Sequence, residues 1–319
     1  MDHNDIKTLS GDVPDLMYIS WEVMNTCNYA CSYCSPSLHR GDNPMPDYTD
    51  SLEFFKYIDE NIYNGPKMLS MVGGEPTLWP KLFDFLEKLS ANYHTEITTN
   101  GSRTIRWWKM LTERNTRLNR VNISVHLEYA DKEHILNVCK IIEEYFQVTV
   151  MIMFDLDYIN KAIDIAEALK DSNLKISCRF KPIVLKKTKS NQKYSSNYLD
   201  EHREIIKKYN FNNCKRINIK LPSGYIVNGI YKPLSWGQQL ISSNQHSFTG
   251  MFCEAGVKRL HIDFRGNVYP ATCTTGYNNL LGKIKDKKIE KITGLICQSK
   301  FCACVPDTRI PKWKIENEQ

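Results

Sequence analysis

The sequence predicts an α/β protein: a partial (β/α)6 TIM-like barrel followed by a small cysteine-rich α+β domain. Three observations predict it. Apolar β-like runs alternate with helical patterns over the first two thirds of the chain, the mark of parallel strands joined by helices. After about Lys215 that alternation gives way to short hairpins. The 11 cysteines fall mainly in two groups, Cys27–Cys34 and Cys253–Cys304.

Taken in order, the first strand is Tyr18–Met24, followed by a loop rich in Ser, Pro, Gly and Asp. A helix over Ser51–Tyr63 follows, with Asp50 as its N-cap. Strand Met68–Val72 leads to helix Pro80–Ala91, and strand Thr95–Asn100 to helix Thr104–Asn115. Strand Val121–Leu127 leads to helix Lys132–Phe146, and strand Val148–Phe154 to helix Ile159–Lys170. The sixth strand is Lys175–Val184, and helix Asp200–Tyr209 closes the series. Beyond it, Lys215–Asn228 reads as short strands around a Pro-Ser-Gly turn, and Lys258–Tyr269 as a hairpin turning at Arg265-Gly266-Asn267. The division is a core barrel at 13–210, a connection at 211–250 and a small domain at 251–319.

Composition narrows the function classes. The 319 residues are 42% hydrophobic and 24% charged, a globular balance that excludes disorder, collagen and coiled coil. No apolar run approaches the ~20 residues of a membrane span. The N-terminus, MDHNDIKTLSGDVPD, is polar and acidic, unlike a signal peptide. A cytoplasmic location is expected. Cysteines in that compartment point to metal or redox chemistry rather than disulfides. The net charge of +6 is mild, so neither nucleic acid nor membrane is an expected partner.

Period-2 alternation tells which side chains share a space. Val121, Ile123, Val125 and Leu127 form one face of the fourth strand, and Asn122, Ser124, His126 and Glu128 the other. Thr149, Met151, Met153 and Asp155 share the second face of the fifth. In the sixth, Ser177, Arg179 and Lys181 oppose Ile176, Cys178 and Phe180. Helices cover the apolar sides, so the polar sides converge on an interior. That interior is too polar for a filled barrel core and suits a ligand. Cys139, Cys178 and Cys214 are scattered and read as small core residues.

Cys27-x3-Cys31-x2-Cys34 lies just after the first strand, where barrels of this type place active sites. Three such thiolates can hold an iron–sulfur cluster and leave one iron open, since full ligation takes four cysteines. A zinc site completed by a distant His or Cys is the alternative.

These residues resemble the signature of the radical S-adenosylmethionine (SAM) enzymes, with Tyr33 typical before the last cysteine. The likeness continues in Gly73-Gly74-Glu75-Pro76, Thr99-Asn100-Gly101 and Ser124-Val125-His126, each at its expected strand, and spans roughly Val13 to Asn210. It implies a [4Fe–4S] cluster on Cys27, Cys31 and Cys34, chelated at its open iron by SAM. It further implies that Gly73 and Gly74 let the backbone approach SAM and that Glu75 accepts from its amino group. The Tyr33 backbone would meet adenine, and Asn100, Ser124 and His126 the ribose or carboxylate.

Cys253, Cys273, Cys297, Cys302 and Cys304 flank and follow the hairpin. They resemble the small SPASM or twitch domains of the same superfamily, which hold auxiliary iron–sulfur clusters. Five cysteines suit one [4Fe–4S] cluster with one thiol to spare, and the spacing leaves open which four bind. A zinc knuckle is the alternative.

Ser172–Leu199 carries Lys175, Arg179, Lys181, Lys186, Lys187, Lys189 and Lys193 with no acidic residue. From Lys186 onward a solvated loop is the simpler account. Arg179 and Lys181 face inward and need a partner: Glu128, Asp155 or an anionic substrate. About 17 residues precede the first strand, so no fused peptide-recognition domain is expected there. That favours a small molecule or sugar over a ribosomal peptide, although a separate protein could deliver a peptide. The resemblance implies reductive cleavage of SAM, hydrogen abstraction by a 5′-deoxyadenosyl radical, and a flavodoxin- or ferredoxin-type electron donor. Oxidation through the auxiliary cluster is the expected outcome. Peptide maturation, nucleic-acid modification and a non-catalytic zinc protein are the alternatives.

Overall fold

The computed structural model describes residues 6–8, 16–114, 116–183, 187–188, 191–192, 199–214, 224–227, 230–233, 247–275, 279–300, 302, 304–308 and 310–313. The chain divides into two compact units. One comprises Glu22–Tyr48 and Ser70–Asn218, here the barrel unit. The other comprises Met1–Trp21, Thr49–Leu69 and Ile219–Gln319, here the C-terminal unit.

After a short strand at Ile6–Thr8 come β1 (Met17–Glu22), α1 (Tyr48–Tyr57) and β2 (Lys67–Val72). The β/α alternation then runs through α2 (Leu82–Lys88), β3 (Tyr93–Thr99), α3 (Ile105–Glu113), β4 (Leu118–Val125) and α4 (Lys132–Ile142). It ends with β5 (Gln147–Phe154), α5 (Ile159–Asp171), β6 (Ser177–Pro182) and α6 (Asp200–Tyr209), followed by the short β7 (Phe211–Asn212). In the barrel unit β3, β4, β5 and β6 pair in parallel, in chain order, and β7 closes antiparallel on β6.

Side-chain alternation sets this arrangement. Val148, Val150, Ile152 and Phe154 of β5 are fully buried, while Thr149, Met151 and Met153 between them are only partly covered. α4 buries Ile135, Val138, Cys139 and Ile142, and α5 buries Ala162, Ile165, Ala166 and Leu169. Cys139 and Cys178 lie in this core as expected. Helix starts follow capping chemistry. The Thr104 hydroxyl accepts from the Trp107 N–H at 3.3 Å, and the Asp131 carboxylate accepts from the His134 N–H at 3.0 Å.

The parallel register lines up the second faces in rows. Asn122 stands beside Thr149 and Ser177, Ser124 beside Met151 and Arg179, and Met153 beside Lys181. The second faces thus align Asn122, Ser124, Ser177, Arg179 and Lys181 with Met151 and Met153, whereas His126 and Glu128 follow the end of β4. Near the N-terminal strand ends Arg120 pairs with Glu96 at 3.0 Å and donates to Gln147.

In the C-terminal unit β8 (Phe252–Cys253) is followed by the hairpin of β9 (Arg259–Ile262) and β10 (Asn267–Tyr269). β9 pairs in parallel with β1, Arg259 opposite Tyr18 and Ile262 opposite Trp21. β11 (Gly282–Lys283) and β12 (Lys288–Ile289) extend this sheet. A second small sheet places β8 between β13 (Leu295–Ile296) and β14 (Lys312–Trp313). The hairpin turn expected at Arg265-Gly266-Asn267 forms, with Gly266 at φ +75° and the Asp263 carboxylate accepting from the N–H groups of Arg265 and Asn267.

Some expectations move. α1 begins at Tyr48, so Asp50 lies in its first turn rather than at its cap, and Asp50 with Glu53 pairs with Lys287 instead. An anion there still favours the helix N-terminus. Residues Ile58–Ile62 continue α1 as a π turn. The Pro-Ser-Gly turn lies largely outside the described residues; strand Gly224–Val227 pairs with Ile230–Pro233. No helix among the described residues is long and apolar enough to cross a membrane.

Candidate active site

The loop after β1 is laced to the end of β2. Val23 N–H donates to Val72 O, Gly74 N–H to Met24 O and Glu75 N–H to Thr26 O, each at 2.8 Å. The two glycines make this approach possible. Gly73 has φ +125°, and a Cβ on it would lie 2.6 Å from Met24 O. A Cβ on Gly74 would lie 2.2 Å from Thr26 O. The close approach these glycines permit is to the backbone of the cysteine loop. Asn25 fixes the far end of the loop, donating to Asp42 at 2.6 Å and accepting from Gly41 N–H at 3.0 Å.

Cys31 is buried on this loop, and Cys27 and Cys34 are half-buried. Burial, then the Glu128 carboxylate and the two neighbouring thiols, push the Cys31 thiol up to about 12. Burial likewise raises Cys27. Such thiols become thiolates only against a cationic partner, which is the chemistry of a metal-sulfur centre. Among the described residues no three His, Cys, Asp or Glu side chains converge on a single-ion site. A four-iron cluster places each thiolate on a different iron, so this donor set fits the group.

Other predicted residues ring the loop. Glu75 is 1% exposed. Its carboxylate accepts from Thr77 N–H at 3.0 Å, Thr77 Oγ1 at 2.5 Å, Thr99 Oγ1 at 2.7 Å and Asn100 N–H at 2.6 Å. Burial raises its pKa while these donors oppose the rise. Asn100 donates to Asn28 at 2.9 Å and reaches Cys27 Sγ at 3.8 Å. The Tyr33 hydroxyl meets His126 Nδ1 at 2.6 Å with the rings stacked. Burial, helped by Lys181, brings His126 down to about 4 and keeps it neutral. Ser124 is buried one position before Val125 on the same strand.

Glu128 and Asp155 do not pair with Arg179 or Lys181. Glu128 accepts from both the N–H and the hydroxyl of Ser32, between Cys31 and Cys34. Asp155 accepts from Asp157 N–H at 3.1 Å, capping the turn Leu156–Tyr158. Ser32 thus takes the Glu128 carboxylate, and the turn that follows β5 takes that of Asp155. Burial lowers the pKa of Arg179, with help from Arg120, and burial lowers that of Lys181. Lys181 still reaches solvent. Lys175 points outward and pairs with Glu144. Lys186, Lys189 and Lys193 lie outside the described residues, as does the Lys187 side chain.

Several residues of this ring escaped the sequence reading: Asn28, Ser102, Tyr129 and Ser32. Asn28 donates to Ser102 at 2.8 Å, and Tyr29 stacks on Tyr129 at 4.4 Å. Their signal was position alone, immediately beside the predicted motifs.

In the C-terminal unit a cavity of about 140 Å³ is lined by Cys253, Cys273, Cys297 and Cys302, together with Asp307 and Lys312. Cys304 is half-buried and is not among the lining residues. Burial raises Cys302 to about 12, and Lys312 opposes that rise while Asp307 and the thiols of Cys297 and Cys253 add to it. Burial also raises Cys273, with Asp307 and the other three thiols adding. Asp307 is 1% exposed, pairs with Arg259 at 3.0 Å and accepts from Cys273 N–H at 3.0 Å. Four thiols around one cavity match the donor set of a fully ligated cluster.

A parallel half-barrel of strands with a three-cysteine loop at its C-terminal edge defines an enzyme that uses a cluster-bound SAM. The family model described as Radical SAM superfamily matches residues 21–180, or 160 of the 319 residues, and the chain belongs to that superfamily. SAM and a [4Fe–4S] cluster are the cofactors of that family. Among curated relatives, the GTP 3′,8-cyclase of Helicobacter pylori (strain J99 / ATCC 700824) is 33% identical over 146 residues, 41% of this chain and 43% of that protein. The GTP 3′,8-cyclase of Aliarcobacter butzleri (strain RM4018) is 34% identical over 112 residues, 34% of each chain. The match thus spans less than half of these relatives. Among solved structures, native anSMEcpe with bound AdoMet has a TM-score of 0.52 at 16% identity, over 85% of this chain and 78% of that one. Streptococcus suis SuiB bound to S-adenosylmethionine has a TM-score of 0.53 at 14% identity, over 86% and 64%. This likeness is one of fold.

Proposed function

We propose that this radical SAM enzyme abstracts hydrogen from a small-molecule substrate bearing an anionic or polar group and releases an oxidised product. The observation that carries the substrate class is the placement of two cationic side chains, Arg179 and Lys181, on the second face of β6. When bound, the first cluster supplies the electron that splits SAM into methionine and a hydrogen-abstracting radical, and an auxiliary cluster would accept the electron the substrate gives up.

The chain's own residues prepare that chemistry. Cys27, Cys31 and Cys34 would hold the first cluster. Glu128 holds Ser32, and with it the segment between two of the ligands. Glu75, steadied by Thr77, Thr99 and Asn100, would face the SAM amino group, and Tyr33 with His126 would border its adenosine. Neutral His126 offers hydrogen bonding without adding charge. Cys253, Cys273, Cys297 and Cys302 would hold the auxiliary cluster. A flavodoxin- or ferredoxin-type protein is the electron donor this chemistry needs.

GTP, named in the curated relatives, is a suitable anionic probe, and an acidic peptide is the competing one. Arg179→Gln and Lys181→Gln each remove a charged hydrogen bond, worth about 1.5–3 kcal/mol, or roughly 10- to 150-fold in affinity. Equilibrium binding of GTP to the reconstituted enzyme should weaken by that factor in each variant. Equal binding in wild type and both variants would remove these residues from the substrate site. Tight binding of the peptide alone would shift the reading to peptide modification.

A further inference from the structure

Lys312 occupies an unusual place in the four-cysteine cavity. It stands directly opposite Cys253 in the antiparallel register of β14 and β8, so the two side chains leave the sheet on one face. It is 2% exposed. Its ammonium donates to the carbonyls of Asp307 at 2.7 Å and Ile310 at 2.9 Å, and lies 5.2 Å from the Phe248 ring. These contacts fix where the charge sits. Among the described lining residues the other charged one is Asp307, which pairs with Arg259. The Lys312 ammonium thus stands on the wall that the four thiols share.

We propose that the Lys312 ammonium raises the reduction potential of the cluster held by Cys253, Cys273, Cys297 and Cys302, making it an electron acceptor. The inference rests on reading those four cysteines as an auxiliary cluster site. One-electron reduction adds one negative charge to such a cluster. A fixed cation nearby stabilises the reduced form more than the oxidised form, and burial keeps that attraction from being screened. Net charge and hydrogen bonding around the sulfurs are among the terms that set cluster potentials.

The test uses the full chain carrying Cys27→Ala, Cys31→Ala and Cys34→Ala, so that only the second cluster contributes. Lys312→Gln keeps N–H donors for the two carbonyls but removes the charge, and Lys312→Arg keeps the charge. Iron content and an anaerobic redox titration followed by electron paramagnetic resonance are read in each. Lys312→Gln should shift the midpoint to a more negative value, with Lys312→Arg close to Lys312. An unshifted midpoint in Lys312→Gln with full iron would overturn the proposal, as would an equal shift in both variants. If Lys312→Gln loses the iron, the arginine variant decides. Retention there supports a charge role, and loss in both assigns Lys312 a structural role and overturns the proposal. The underlying reading fails separately, if Cys253→Ala with Cys273→Ala leaves the iron content unchanged.

Discussion

Glu75 joins two tasks in one carboxylate. It accepts four protein hydrogen bonds, and it is the group expected to face the SAM ammonium. Glu75→Gln removes the charge and turns a donor toward the Asn100 or Thr99 donors. SAM affinity should fall roughly 10- to 150-fold, the cost of about 1.5–3 kcal/mol for one charged hydrogen bond, and stability should fall with it. A denaturation curve and a SAM binding isotherm separate the two effects. Unchanged SAM affinity would leave Glu75 with the scaffold role alone. His261 is a second residue with a directional consequence. It is buried against Ser20 at 3.0 Å, and burial, with Arg259 adding, brings it down to about 4. In the unfolded chain it takes up a proton near pH 6.5. Between about pH 6.5 and pH 4 the unfolded state then binds more protons, so stability falls as pH falls through that window. The urea midpoint of wild type should therefore drop toward that of His261→Gln between pH 7.5 and pH 5.5. A gap that stays constant would contradict the assignment.

At the scale of the element, the junction between β2 and the cysteine loop is the decisive one. Gly74→Ala would put a methyl group against Thr26 O and Leu38 O. Both are backbone atoms, so the loop itself must shift, at a cost of about 1–3 kcal/mol or more. Iron at the first site should fall selectively, which iron analysis of Gly74→Ala in a Cys253→Ala, Cys273→Ala background reads directly. Full iron and full SAM cleavage would show that the loop tolerates the shift. The same junction explains what was legible in the sequence. β/α alternation located the barrel elements to within a few residues, because period and apolar burial are local properties. The motif residues were found because they cluster in sequence. Glu128 and Asp155 lie beyond the ends of β4 and β5 rather than on them, and the partners expected for them are not the ones they take. Their donors, Ser32 and Asp157, come from chain geometry that alternation does not encode. The parallel pairing of β9 with β1 was equally hidden, since it joins residues some 240 positions apart. Which four C-terminal cysteines share a cavity was open for the same reason.

For the molecule as a whole, the barrel unit holds one three-thiol site and the C-terminal unit one four-thiol cavity, and each has its own test. The central claim is that the loop of Cys27, Cys31 and Cys34 carries the SAM-cleaving cluster. It is measured most directly by anaerobic reconstitution, iron analysis and quantification of 5′-deoxyadenosine after addition of SAM and a reductant. Wild type should be brown and hold about eight irons per chain, two [4Fe–4S] clusters. Replacement of the three cysteines by alanine should lower iron to about half and abolish 5′-deoxyadenosine. A colourless wild type containing zinc without iron, or undiminished SAM cleavage in the triple variant, would contradict it.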